Sequence, residues 1–325
     1  MKKSTIIITL IILVLLFNGC KNSNPVESNK SMEWIHSSSG LPTNSNVRAI
    51  TILGTNLFAG TYNGVYISTN YGTSWRAVNN GLTDTIIYCL VSSGINLFAG
   101  TYGGGVFLST NNGTNWTAIN SGLTDPAVFS LILSGSNLFS ATWNPQKNEG
   151  SVFLSTNNGT NWILANSGLN NNGVVTAFAV SGSNLFAAEP NLGVFLSTNN
   201  GTSWNAIDSG LPGIRSISSL ITFGKNIFGG CQLGGAIFRS TNNGVSWSVA
   251  DSGIAQFSVV NSFATFNSNL YAGTSEGVYL STNDGANWIS INSGFTVNTY
   301  VYSLAIYGIN IFAGTDSGVW RRSLD

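Results

Sequence analysis

A tryptophan recurs along this chain at intervals of 41 to 46 residues, at Trp34, Trp75, Trp116, Trp162, Trp204, Trp247 and Trp288. Six residues after each stands a glycine, at Gly40, Gly81, Gly122, Gly168, Gly210, Gly253 and Gly294. A period of this length marks a stack of supersecondary units, each unable to bury its apolar face alone. Seven matched pairs confine the chain to a repeat architecture before any other feature is weighed.

Each unit reads as short strands. In the first complete one, residues 47–53 are apolar and β-branched, 56–61 read NLFAGT, 64–69 read GVYIST and 75–78 form a last strand. The phrase Asn-[Leu/Ile]-[Phe/Tyr] recurs at Asn96, Asn137, Asn184, Asn226, Asn269 and Asn310. Four strands per repeat, parted by Gly and Asn turns, describe a propeller blade. Trp34 reads as a last strand without the three before it. Residues 301–306, 311–315 and 318–322 read as three strands without the last. The expectation is an all-β, seven-bladed β-propeller of four-stranded blades, closed by the N-terminal strand completing the C-terminal blade. Closure matters because charged residues are only 7% of the chain, against about 25% in typical domains. An open sheet edge would have little charge to guard it.

Six of the tryptophans end one motif, Ser-Thr-Asn-x-Gly-x-x-Trp. Its fixed residues are Asn70, Gly72 and Trp75; Asn111, Gly113 and Trp116; Asn157, Gly159 and Trp162; Asn199, Gly201 and Trp204; Asn242, Gly244 and Trp247; and Asn283, Gly285 and Trp288. An Asn side chain bonds its own backbone two residues on and fixes a tight turn. The glycine takes positive φ without a Cβ clash, and the tryptophan buries a large ring. The motif resembles the Asp-box, S-x-D-x-G-x-x-W, of BNR-like repeat propellers, with Asn always in the third place. Over nearly the whole chain after residue 31, the sequence is similar to sialidase-type, xyloglucan-cleaving, sortilin-type and photosystem II assembly-factor propellers, and to Asp-box lipoproteins. That resemblance implies a structural hairpin fastener, not a catalytic element.

The first residues read as a processing segment. Lys2 and Lys3 precede an apolar run over 6–17, too short for the about 20 residues of a spanning helix and suited to a signal peptide. Phe17-Asn18-Gly19-Cys20 resembles a bacterial lipobox, which implies lipidation of Cys20; an ordinary secretory signal is the alternative. The organisation expected is a signal peptide over 1–19, a polar tether over 20–31 and the propeller over 32–325. Lys21, in place of Asp, points by analogy with lipoprotein sorting to the outer membrane, with the side open. Removing 1–19 leaves ten basic and twelve acidic residues, a net charge of −2. With no basic stripe, the phosphate-neutralising term of nucleic-acid binding is missing. Membrane contact is expected only through the lipid, and the molecule is expected to be a monomer.

Departures from the repeat mark candidate function, because loops on a rigid scaffold carry it. In the inner strands, a small residue (Ala49, Cys89, Ser130, Ala177, Ser219, Ser262, Ser303) follows a variable one: Arg48, Tyr88, Phe129, Thr176, Ser218, Asn261, Tyr302. The variable seven are expected around the channel mouth. Tyr62, Tyr102 and Trp143 share one place after the second strand, and the third of these loops is lengthened with Pro145, Lys147 and Glu149. Asp84, Asp125, Glu189, Arg215, Glu276 and Asp316 are irregular polar residues on the same face. These describe either an aromatic cleft for a sugar chain or a peptide, or ordinary rim aromatics. Glu189, which replaces a Thr of other blades, is expected in solvent. The one histidine, His36, is expected packed between blades. A single histidine excludes a Ser-His-Asp site and a His-rich metal site, and no cofactor is expected. Cys89 and Cys231 read as small buried residues.

Two functions stand. The first is a non-enzymatic binding or scaffold propeller of the cell envelope, with a protein or glycan partner. The second is a glycosidase or sialidase-like hydrolase. Arg48 lies where a sialidase places its first arginine, but the proline of that pattern is absent and no third arginine fits the cleft. Asp84, Asp125 and Glu149 leave a two-carboxylate glycosidase open.

Overall fold

A computed structural model describes residues 32–170, 173–190, 192–211, 216–232, 234–297 and 299–325. Residues 32–325 form one compact unit. Its described residues fold into seven four-stranded antiparallel sheets, with no helix. Six sheets are simple meanders, in chain order over residues 47–77, 87–118, 127–164, 177–206, 217–249 and 260–290. The seventh joins Val301–Tyr307, Asn310–Thr315 and Gly318–Ser323 to the strand Ile35–His36, which pairs antiparallel through Ile35 with Arg321 and His36 with Trp320. The expected ring closure is therefore present. We number the blades 1 to 7 in this order.

Adjacent blades pack chiefly inner strand on inner strand, and the second strand of each adds contacts to the inner strand of the next. Phe58, Phe98, Phe139, Phe186, Phe228 and Phe312 of the recurring Asn-[Leu/Ile]-[Phe/Tyr] phrase are fully buried, each worth about 1.5–3 kcal/mol of burial. The box hairpins are fastened by side chains. Ser68 Oγ accepts the Gly72 N–H and donates to Asn70 Oδ1, which in turn accepts the Ser74 N–H, each at 2.9 Å. The same three bonds recur around Asn111, Asn157, Asn199, Asn242 and Asn283. The Asn therefore reaches the amide four residues on, not two, because the serine before it supplies the nearer clasp. The motif glycines take φ of 75° to 85°, where a Cβ at Gly201 or Gly285 would strike the buried phenylalanine of the preceding blade.

The tryptophan–glycine spacing is a lock between blades. Trp116 donates its main-chain N–H to Asn80 O at 2.8 Å and its Nε1–H to Val78 O at 2.7 Å, both in the connection leaving the preceding blade. A Cβ on the intervening Gly81 would collide with the Trp116 carbonyl oxygen. Every junction repeats this, including the closing one, where Trp34 donates to Ser293 O and Ile291 O at 2.8 Å and Gly294 faces Trp34. Because the tryptophan amide serves the neighbour, the outer strands shrink to two residues, such as Arg76–Ala77.

His36 differs from expectation. The outermost strand exposes both its residues; His36 lies edge-on to Trp320 at 4.9 Å, with Nε2 3.2 Å from Ser317 O. No disulfide joins Cys89 to Cys231. Burial pushes the Cys89 thiol up to about 12, which removes it as a nucleophile.

Candidate functional site

The inner strands carry a shared irregularity. A β-bulge interrupts the pairing at Arg48, Tyr88, Phe129, Ser218, Asn261 and Tyr302, the same place in six blades. A bulge adds one residue, unpaired, and re-aims its side chain. This accounts for a position free to vary beside a small residue that must pack. The entry loops and the second-to-third-strand loops are hydrogen-bonded together, as in Tyr102 N–H to Ile86 O at 3.0 Å and Ser275 N–H to Val259 O at 2.9 Å. The bulged residues thus open onto one loop-bearing face.

On blades 7, 1, 2 and 3 those residues meet. The Arg48 guanidinium carbon lies 4.1 Å from the ring centre of Tyr302, 5.1 Å from Tyr62 and 6.0 Å from Tyr88. Its Nη2 donates to the Tyr62 hydroxyl, and its buried Nε has no hydrogen-bond partner among the described residues. Cation–π contact contributes about 0.5–2 kcal/mol per ring and holds the charge at the mouth, with no carboxylate among the described residues in bonding contact. Tyr88 continues the wall to Phe129 at 5.0 Å and Tyr102 at 5.8 Å. On the other side Tyr302 packs on Tyr300 at 4.7 Å and donates to Asn46 Oδ1 at 3.3 Å. Desolvation pushes the Tyr88 and Tyr302 phenols up, and the Arg48 charge opposes it less strongly. Both remain neutral hydroxyls able to give and accept hydrogen bonds. Tyr300 and Asn46 escaped the sequence reading, since neither occupies the variable inner-strand position; each is the last entry-loop residue before its inner strand.

The acidic candidates are engaged elsewhere. Asp84 accepts the Ile86 N–H at 2.9 Å and the Gly103 N–H at 2.5 Å, one on each oxygen. It ties the entry loop of blade 2 to the next loop of the same blade. Asp125 is 4% exposed and does the same in blade 3, taking Thr142 Oγ1 at 2.9 Å on one oxygen and Asn144 Nδ2 at 3.3 Å on the other. Glu149 is exposed and pairs across the sheet with Asn144, while Trp143 pairs with Ala127 and Gly150. Among the described residues, no ring contact joins Trp143 to the aromatic wall. Arg215 and Cys20 lie outside the described residues. No group of three or more His, Cys, Asp and Glu among the described residues is placed to hold a metal.

Glu189 corrects an expectation: it is 1% exposed, not solvated. In blades 1, 2, 3, 6 and 7 its place belongs to Thr61, Thr101, Thr142, Thr274 and Thr315, whose hydroxyls donate to a carbonyl across the loop. The register of the blade points this position inward whatever residue fills it. Desolvation pushes the Glu189 carboxyl up to about 7, opposed by a backbone bond at Asn170, and Oε2 has no hydrogen-bond partner among the described residues.

No family model matches the chain, and no curated protein matches it. Solved structures do match in fold. The extracellular domain of BT4673 from B. thetaiotaomicron is 18% identical, with a TM-score of 0.72 over 90% of this chain and 40% of that one. YCF48 from Cyanidioschyzon merolae is 15% identical, with a TM-score of 0.67 over 90% of this chain and 98% of that one. YCF48 has also been solved bound to D1 peptide, at 14% identity and a TM-score of 0.69 over 90% and 94%. The GH74 xyloglucanase from Xanthomonas campestris is 15% identical, with a TM-score of 0.70 over 90% of this chain and 54% of that one. At these identities the likeness shows the β-propeller fold alone.

Proposed function

We propose that this propeller is a non-enzymatic binding module of the cell envelope that takes a segment of a protein partner across the mouth of its channel. The observation that carries this reading is the Arg48 guanidinium set among the rings of Tyr62, Tyr88 and Tyr302. Rigid aromatics offer large contact area at low entropic cost, with polar edges for main-chain groups. A propeller of the same fold with a peptide bound, YCF48, supports a protein partner. Envelope location agrees with the BT4673 neighbour being an extracellular domain. Anchoring through Cys20, ahead of a tether over 20–31, belongs to the same proposal, as do the Asp-box lipoprotein kinship and the outer membrane as its address. The test is cross-linked capture from native envelope by the full chain and by Tyr88→Ala and Arg48→Ala. Wild type should retain a protein that both variants lose by tenfold or more; equal recovery by all three would refute the reading.

A glycosidase is the second reading, favoured by the GH74 xyloglucanase neighbour. Against it, Asp84 and Asp125 each spend both oxygens on loop fastening, whereas hydrolysis needs two carboxyl groups facing the scissile bond. Turnover of xyloglucan that disappears in Asp125→Asn would reverse this order.

A further inference from the structure

The opposite face carries four departures from the repeat that converge between blades 7 and 1. The residue before the box glycine is left-handed in all six hairpins, with φ of 54° to 56°. Five boxes use Asn112, Asn158, Asn200, Asn243 or Asp284 there, the short polar side chains that tolerate this region. Blade 1 instead places Tyr71, at φ 56°, where a bulky residue is strained. The second departure is Tyr307, where the other blades carry Leu53, Ser93, Ser134, Ser181, Phe223 and Phe266; Tyr71, 53% exposed, stacks on it with ring centres 5.1 Å apart and planes 18° from parallel.

Arg321 is the third departure, where other blades carry Ile67, Leu108, Leu154, Leu196 or Leu280. Its Nη1 donates to Tyr71 O at 3.1 Å. Arg239 clamps the next box in the same way, through Asp284 O at 2.9 Å, so the clamp itself does not require an aromatic residue. The fourth departure is Ser37, in the place of Val78, Ile119, Ala165, Ile207, Ala250 and Ile291, whose Oγ donates to Gly72 O of the blade 1 box at 2.6 Å. Ser37 lines, with Arg321 and Thr73, a half-open cavity of about 660 Å3 whose wall mixes Ser, Thr, Asn and His36 with Gly40, Leu41 and Pro42, with no carboxylate.

Backbone strain that the local sequence rules do not demand is kept where it serves a site. An exposed tyrosine pair presents an apolar ring face. Beside it lies a cavity of mixed hydroxyl and apolar wall, with the Arg321 guanidinium bonded to Tyr71 O and lining the cavity. We infer that this flank is a carbohydrate-binding site: a pyranose ring lies on the Tyr71–Tyr307 platform and the adjoining sugar extends toward Thr73 and Arg321. The apolar C–H face of the sugar matches the rings, and its hydroxyl groups match the cavity wall. The cavity runs along the flank as far as the blade 1 entry loop at residues 41–44 and Ser317 of blade 7, but its lining includes none of Arg48, Tyr62, Tyr88 and Tyr302.

The test is titration calorimetry of the full chain with cellohexaose, maltohexaose, chitohexaose and xyloglucan oligosaccharides. At least one should bind. Tyr71→Asn, which installs the residue of four other boxes, should weaken it at least tenfold while the melting temperature holds or rises. Tyr307→Ala should weaken it similarly, and Tyr88→Ala at the channel mouth should leave it unchanged. Binding by none of the four probes, full affinity in Tyr71→Asn, or loss of affinity in Tyr88→Ala would each overturn the inference.

Discussion

Neutralising Glu189 should alter stability in a way that depends on pH. The side chain is 1% exposed and its carboxyl is pushed up to about 7, chiefly by desolvation, from an ordinary 4.5. The cavity against it is lined otherwise by Gly150, Ser151, Val152, Asn166, Leu169, Gly173 and Val175, none of them titratable. A raised carboxyl pKa means that the folded state holds its proton more tightly than the unfolded chain. Below about pH 4.5 both states are protonated and burial of the carboxyl carries no ionisation cost. Between pH 4.5 and 7 the unfolded chain releases the proton first, and stability falls by about 1.4 kcal/mol per pH unit. Above pH 7 both states are ionised and the loss levels off. The shift of 4.5 to about 7 therefore corresponds to about 3 kcal/mol lost between pH 4.5 and 7.5. Glu189→Gln keeps the shape and removes the titration. Urea unfolding at half-unit pH steps should show the wild-type curve dropping away from the variant by that amount, with the gap constant above pH 7.5. Parallel curves for the two proteins across the range would refute the assignment of a buried, desolvated acid.

Gly122→Ala should destabilise by at least about 2 kcal/mol, because the new Cβ meets the Trp162 carbonyl at a φ of 86°; an unchanged urea midpoint would contradict the inter-blade lock. Trp34→Ala removes a buried ring and the Nε1 bond to Ile291 O at the closing junction. It should cost about 3–5 kcal/mol and raise light scattering on heating, and a soluble protein of unaltered melting temperature would argue against ring closure. Cys20→Ser should move the protein from the membrane pellet to the soluble fraction, and continued sedimentation with membranes would remove the lipid anchor from the proposal.

The architecture was open to reading because each blade repeats a local pattern. Strand period, Asn-started second strands and box hairpins are all properties of a few consecutive residues. The tryptophan–glycine spacing was equally visible, but its meaning was not. Gly81 serves Trp116 of the following blade, a relation that spacing within one unit cannot reveal. The mouth was half legible: variability at the bulged position named Arg48, Tyr88 and Tyr302, while Tyr300, just outside that position, packs on Tyr302 of its own blade and Asn46 joins only when blades 7 and 1 come together. Glu189 was misread because its inward direction is set by strand register, which overrides the polarity of the side chain. Tyr71 fills the unspecified place of the box motif, which the sequence reading passed over, and its partner Tyr307 lies at the far end of the chain.

Since the lock at Trp34 is of the same kind as the other six, this array of units has periodic boundary conditions. A linear repeat protein frays from its two terminal units, which have one neighbour each. Here every blade has two, and none is a terminus in the energetic sense. Breaking any one junction does more than subtract that junction. It converts the ring into an open array and creates two frayable ends where there were none, so the coupling of the first break to the second is built into the closure. The weakest of the seven junctions then governs the unfolding of all of them.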